Sequence, residues 1–348
     1  MTLYTDLSLA AQASYAGLDI AAKDAEMRRS IANLPGGFTS KQVKGKGYWY
    51  YQIKSPGGAP QQIFVGPDDS STHALMLRHS AANAKAHKES LQKLTRAALE
   101  LGCADIPLKH GRVIGRLLDH GFFNAGGLLV ETHAFLAYQN MFGVRWDAGA
   151  FTVDLDFSHA GKNLSLAIAS NIQMDTVKAI DSLERGFIPV MSKTTFKKPD
   201  EPDFDLDFLT TYGRSGDKPV YLPALNLTLQ PLKFMELSME DPMKSTLLLR
   251  NGPLVVNIPR PQRFALHKLI VHGERPTEQR VKANRDLIQA ACLLDYLMEN
   301  DADLVKESWQ DVLSRGPGWN SRLKKGWDAL VRSFPEQEFA QRLEVALN

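Results

Sequence analysis

Apolar residues recur at helical spacing from Asp6 to Leu34 (Leu7, Ala10, Ala11, Leu18, Ala21, Ala25), with Ser14 as the one polar interruption. Pro35-Gly36-Gly37 closes that run. The pattern then changes period. Tyr48-Trp49-Tyr50-Tyr51-Gln52-Ile53 is aromatic and β-branched, Pro56-Gly57-Gly58 supplies a turn, and Gln61 to Val65 returns, which predicts a β-hairpin. A long helix is expected from Ser71 to Leu101, with Ser70, Ser71 and Thr72 available as caps and Gly102 as its stop. Residues 106–259 mix short strands and helices. From Pro261 onward the pattern is helical, punctuated by Arg275-Pro276, Asn300-Asp301, Gly316-Pro317-Gly318 and Pro335.

Two segments in the middle stretch carry candidate chemistry. In the first, an apolar strand (Leu128 to Val130) meets a turn at Glu131-Thr132, and a helix runs from about His133 to Phe142 and stops at Gly143. A strand feeding a helix N-terminus leaves backbone N–H groups unpaired and suited to phosphate oxygens, and the Thr132 hydroxyl adds a donor or caps the helix. His133 reads as a packed or capping residue. The second segment is a pair of acidic strands. In Phe151-Thr-Val-Asp-Leu-Asp-Phe157, Asp154 and Asp156 share one strand face; in Asp203-Phe-Asp-Leu-Asp-Phe208, Asp205 and Asp207 do the same, with Phe204, Leu206 and Phe208 opposite. Carboxylates on one face repel unless a cation lies between them, and Mg²⁺ is the usual one where phosphates complete the shell. A solvated acidic strand is the plainer explanation of either segment alone.

Composition narrows the picture by exclusion. Hydrophobic residues at 44% and charged residues at 23% fit an ordinary globular chain of 348 residues. A net charge of +2 argues for neither nucleic acid nor membrane globally, so any electrostatic case is local. The two cysteines, Cys103 and Cys292, lie too far apart for a CxxC motif, which removes a disulfide framework and a thiolate zinc site and fits a reducing compartment. The first residues lack a basic region followed by an apolar run, and no apolar stretch is long enough to span a bilayer. The expectation is a cytoplasmic protein without a membrane partner. GxxxxGK[ST], HExxH and GxSxG motifs are absent from the sequence.

The sequence resembles the DNA polymerase beta-type nucleotidyltransferase superfamily, and within it the bacterial nucleotidyltransferase-like proteins related to abortive-infection toxins. The likeness rests on LVETHAF at 129–135, TVDLDF at 152–157, FDLDFLT at 204–210, PRPQRFALHKL at 259–269 and RVKANRDLIQA at 280–290. It implies an α/β (α+β) fold: a mixed-sheet core over 105–260, a C-terminal helical domain over 261–348, and an N-terminal helix-hairpin-helix region over 1–104. It also implies catalytic and metal-binding roles for Asp154, Asp156 and Asp207, with Asp205 as the rival third carboxylate. Thr132 and Lys268 would contact the nucleotide. The cofactor would be Mg²⁺ (or Mn²⁺), and an NTP such as ATP the substrate. An RNA or tRNA acceptor and an antitoxin partner in a toxin–antitoxin setting follow from the same likeness. Glu131 stands where such proteins usually carry Gly, and the gap from Thr132 to Asp154 is longer than their norm.

Two further groups have competing explanations. Lys268 lies among Phe264, Leu266, Leu269 and Ile270, so it is either a solvated lysine or a phosphate contact; Lys282 and Asp286, four apart, fit an intrahelical ion pair. The aromatic hairpin, with the basic residues between Arg78 and Arg96, forms either an RNA-binding surface or a solvated helix beside inward-packed rings.

Overall fold

The computed structural model describes residues 2–27, 36–43, 45–53, 61–78, 81–119, 122–123, 126–146, 163–167, 188–190, 194–198, 201–213, 216–222 and 227–347. The chain opens with strand β1 (Tyr4–Asp6) and helix α1 (Leu9–Met27), which buries Ala11, Tyr15, Leu18 and Ala22 along one stripe. The predicted hairpin is present as β3 (Lys46–Ile53) and β4 (Gln61–Pro67). A strand not anticipated, β2 (Gly36–Val43), pairs antiparallel with β3 and makes a three-stranded meander. Gly36 and Gly37, read as part of a helix stop, begin this strand, and residues 28–35, which hold the end of the predicted helix run, lie outside the described residues. Helices α2 (Ser70–Arg78) and α3 (Ala81–Glu100) cover the stretch predicted as one long helix, with 79 and 80 outside the described residues. Gly102 follows at φ +106°, as a helix stop should. Helix α3 packs on α1.

Helix α4 (Leu108–Asp119) presents Val113, Ile114, Leu117 and Leu118 to the core. It is followed by β5 (Leu128–Leu129), α5 (Glu131–Phe142) and β6 (Val144–Trp146), the last paired with β1. The seven-stranded sheet then assembles from β5 together with β7 (Asn163–Ala167), β8 (Ile188–Val190), β9 (Thr195–Lys198), β10 (Glu201–Thr211), β11 (Val220–Leu222) and β12 (Leu227–Leu232). Its path runs β11-β12-β10-β7-β5, and β9 lies against β10 with β8 beyond it. Strand β10 is central: parallel to β7 and β12, antiparallel to β9. Leu206 and Phe208 are fully buried on one of its faces, as the alternation predicts.

A short helix α6 (Met235–Met239) and the hairpin β13 (Met243–Leu249)–β14 (Gly252–Ile258) lead into five helices. These are α7 (Pro261–Glu274), α8 (Arg280–Asn300), α9 (Ala302–Ser314), α10 (Pro317–Ser333) and α11 (Phe339–Leu347). The helical reading of everything after Pro261 holds, and the fold is a mixture of helix and sheet. One continuous core joins Leu129, Leu206 and Phe208 of the sheet to Phe264, Leu266, Leu293 and Leu323 of the helices. α7 and α10 approach closely because glycines face the contact. A Cβ on Gly326 would fall 2.1 Å from the Leu269 carbonyl oxygen, and one on Gly273 would fall 2.3 Å from that of Arg322. Among the described residues no helix is long and apolar enough to cross a membrane.

Candidate active site at the strand-to-helix junction

The junction between β5 and α5 differs in one respect from its sequence reading. No two-residue turn is needed, because the chain swings from strand to helix within a single residue. Val130 is extended at φ −126°, ψ −175°, and Glu131 takes φ +58°, so the helix starts two residues earlier than expected. Val130 is therefore the N-cap residue, and Thr132, partly exposed, is the second helical residue and not the cap. Gly143 ends the helix at φ 68°, ψ 33°, the left-handed stop that was predicted. The φ of Glu131 belongs to the region that favours glycine.

The sheet register brings this junction to the acidic strand. Leu129 pairs with Leu166, and Leu166 with Phe208, so the end of β5 stands level with the middle of β10. Asp207 pairs with Ser165, one step along in the direction in which β5 leaves the sheet. Two strand spacings, about 10 Å, separate it from the junction. Asp207 shares its face with Leu209, which clusters with Leu128, Val130 and Met235 on the side of the sheet away from Phe208. Its carboxylate is half-buried and accepts a 2.6 Å hydrogen bond from Thr195 Oγ1 on β9. Asp205, two residues back, pairs through its backbone with Asn163 and Lys197; its side chain lies outside the description.

Asp154 and Asp156 lie outside the described residues. Of the three carboxylates expected to hold Mg²⁺, Asp207 alone is therefore placed. Its hard oxygen donors, steadied by a hydroxyl, are chemically suited to that ion. Among the described residues no group of three or more His, Cys, Asp or Glu side chains is arranged to hold a metal.

Lys268 is the surprise. Its flanking apolar residues do face the core, and the lysine goes inside with them, 1% exposed. Its ammonium pairs with Glu131 at the junction and donates a 2.9 Å hydrogen bond to Asp286 Oδ1 of α8, while Arg275 donates to the other oxygen of Asp286. The solvated-lysine reading is thus excluded, and Asp286 bonds to Lys268 and Arg275 where an intrahelical pair with Lys282 was expected. Burial works against ionising Asp286, but the two cations outweigh it and hold the carboxyl below its ordinary range. Burial likewise disfavours the charged Lys268, and Asp286 and Glu131 more than compensate, raising its pKa. The chain Glu131–Lys268–Asp286–Arg275, buried at its two central members, was not legible in the sequence. The signal that could have found it is helical spacing: Lys268 shares its face with Phe264, Ala265 and Val271, three or four positions away, and such a lysine is carried inward.

His133, beside Thr132, is packed as predicted: its Nε2 lies 2.6 Å from Nδ1 of buried His110. Burial, with His110 as neighbour, pushes its pKa down to about 3, so the ring is neutral and offers no cation to an anionic ligand.

No curated protein and no solved structure matches the chain. A family model described as Nucleotidyltransferase matches residues 109–314, a span that runs from α4 through the junction, the sheet and Lys268 to the end of α9. That is more than half of the chain, and the chain belongs to this nucleotidyltransferase family.

Proposed function

We propose that the chain transfers a nucleoside monophosphate from an NTP, ATP being the natural first choice, to a hydroxyl acceptor, with pyrophosphate leaving. The observation that carries this reading is the register that sets Asp207 level with the exit of β5, beside a helix N-terminus, in a chain of this family. Asp154, Asp156 and Asp207 would hold Mg²⁺, which supplies charge neutralisation for the phosphates and a lowered acceptor pKa. Thr132 and the first backbone N–H groups of α5 bind and orient phosphate oxygens, where the helix dipole favours negative charge. Lys268 reaches a phosphate by exchanging Glu131 for it while keeping Asp286, so its charge stays compensated throughout. RNA, including tRNA, is the acceptor class that the likeness to abortive-infection proteins favours, and a toxin or phage-defence role with an antitoxin partner belongs to the same reading.

One observation favours a second reading. Glu131 places a carboxylate beside the proposed phosphate site and already occupies Lys268, which suits a nucleotide- or RNA-binding module without turnover. The test is to incubate the protein with Mg²⁺ and α-labelled NTPs in total RNA or lysate. Label transfer that disappears in the Asp154→Asn, Asp156→Asn double variant supports the enzyme, and resistance of the product to protease but not to RNase separates RNA modification from protein AMP transfer. Transfer that survives the double variant removes the site.

A further inference from the structure

The N-terminal meander has two unlike faces. On one, Trp49, Tyr51, Phe38 and Gly66 alternate inward. Tyr51 is 3% exposed and meets Phe38 edge-on at 5.1 Å. Trp49 Nε1 donates to Asp68 at 2.9 Å and lies near His73 of α2. Gly66 lies so close to α2 that a Cβ on it would fall 2.4 Å from Thr72 Oγ1. This is the packed face.

The residues between them point the other way. Lys46, Tyr48, Tyr50 and Gln52 of β3 pair in register with Val43, Lys41, Thr39 and Gly37 of β2, and Tyr50 and Gln52 with Phe64 and Gln62 of β4. Phe64 is 57% exposed, Lys41 and Lys46 are exposed, and Tyr48 and Tyr50 are partly so. The three rings form a cluster, with Phe64 at 6.0 Å from Tyr48 and 5.6 Å from Tyr50, and Lys41 Nζ lies 5.5 Å from the Tyr50 centroid. Lys41, Gln62 and Gln52 are joined by hydrogen bonds along the same face. No acidic residue stands among the described positions of this face. Of the two alternatives for the hairpin rings, inward packing describes Tyr51, while Tyr48 and Tyr50 are partly exposed on this face.

We infer that this face binds single-stranded RNA. Exposed rings on a sheet give each unpaired base a surface to stack on, and stacking needs no particular base. Lysines among the rings, with no carboxylate to repel phosphate, match the charge of a polynucleotide backbone. The amides of Gln52 and Gln62, the Thr39 hydroxyl and the tyrosine hydroxyls supply hydrogen-bonding partners for base edges and ribose 2′-hydroxyls, which DNA lacks. The inference deepens the transferase reading by supplying a holder for an RNA acceptor, and it rests on that reading for its purpose alone.

The test is fluorescence anisotropy of the full chain with a labelled, mixed-sequence single-stranded RNA and the matching DNA. Tyr48→Ala, Tyr50→Ala and Phe64→Ala should each weaken RNA binding about tenfold, and Lys41→Gln should flatten its salt dependence by about one phosphate contact. Trp49 emission, taken as the difference from the same protein carrying Trp49→Phe because the chain has five tryptophans, checks that the meander remains folded, since Trp49 lies on the opposite face. RNA affinity unchanged in the ring variants, or no RNA binding by the wild type, overturns the inference, and DNA bound as tightly as RNA overturns its RNA assignment. Nucleotide transfer, measured separately, tells the two readings apart: RNA binding that depends on the rings without any transfer leaves this face standing and removes the catalytic proposal. Transfer with no effect of the ring variants on binding does the reverse.

Discussion

Glu131 combines a conformational cost with an electrostatic gain. A non-glycine residue at positive φ costs roughly 1–2 kcal/mol, and the pair with Lys268 offsets it. Glu131→Gly relieves the first and forfeits the second, so its unfolding free energy should stay within about 1 kcal/mol of wild type. Glu131→Val, branched at Cβ and without charge, should be much less stable in urea melts. A large loss in the glycine variant would mean that the ion pair, and not the backbone, governs this position. Asp286 is different, since its removal leaves the buried ammonium only the partly exposed Glu131 and takes the partner from Arg275: Asp286→Ala should cost about 3–5 kcal/mol. Its folded pKa is depressed, so its stabilisation is present above the unfolded carboxylate range and is lost as pH falls through the folded value. The stability gap between wild type and variant should therefore narrow under strongly acidic conditions. The buried histidines act in the same direction, but near neutral pH. Burial sets the pKa of His133 at about 3, and burial with Lys268 as neighbour sets that of His267 at about 4, against an ordinary 6.5. Between those limits the unfolded chain binds protons that the folded chain refuses, so stability rises with pH. Going from pH 6.5 to 5 should cost about 2 kcal/mol per histidine, and His133→Gln should remove its share in urea titrations at the two pH values. Of these residues, the sequence made His133 readable as packed, because it sits in an apolar helix. The partner of Lys268 was not readable, because Glu131 is 137 positions away and no local period links them.

At the scale of elements, legibility followed periodicity. The β3–β4 hairpin, the alternation of β10 and the helices beyond Pro261 were all evident from spacing alone. β2 was missed because its sequence, GGFTSKQV, has few apolar residues and begins with the glycines that seemed only to end a helix. The β13–β14 hairpin was passed over although Asn251-Gly252 marks its turn between two apolar runs. Register, which places Asp207 opposite the β5 exit, is a long-range pairing that strand patterns do not specify. The α7–α10 contact was equally hidden, since nothing local says that Gly273 and Gly326 face backbone. There the structure makes a direct prediction. Gly326→Ala must push apart two helices at a carbonyl that cannot give way, so it should lower thermal stability by about 1–3 kcal/mol or more. An alanine tolerated without loss, by calorimetry, would show that the helices sit farther apart.

For the whole molecule, β5, β10 and α7 share one core through Leu129, Phe208 and Phe264. The helix N-terminus and Lys268 meet through Glu131, and Asp207 lies on the opposite sheet face, level with the β5 exit. Asp154 and Asp156 complete the proposal from a segment outside the described residues, so Asp207 is the carboxylate on which structure and chemistry can be tested together. The direct measurement is the rate of label transfer from an α-labelled NTP in Mg²⁺ by wild type and by Asp207→Asn, with matched unfolding curves. A metal-holding carboxylate predicts a fall of about 100-fold or more at nearly unchanged stability; equal rates in two folded proteins would contradict the account.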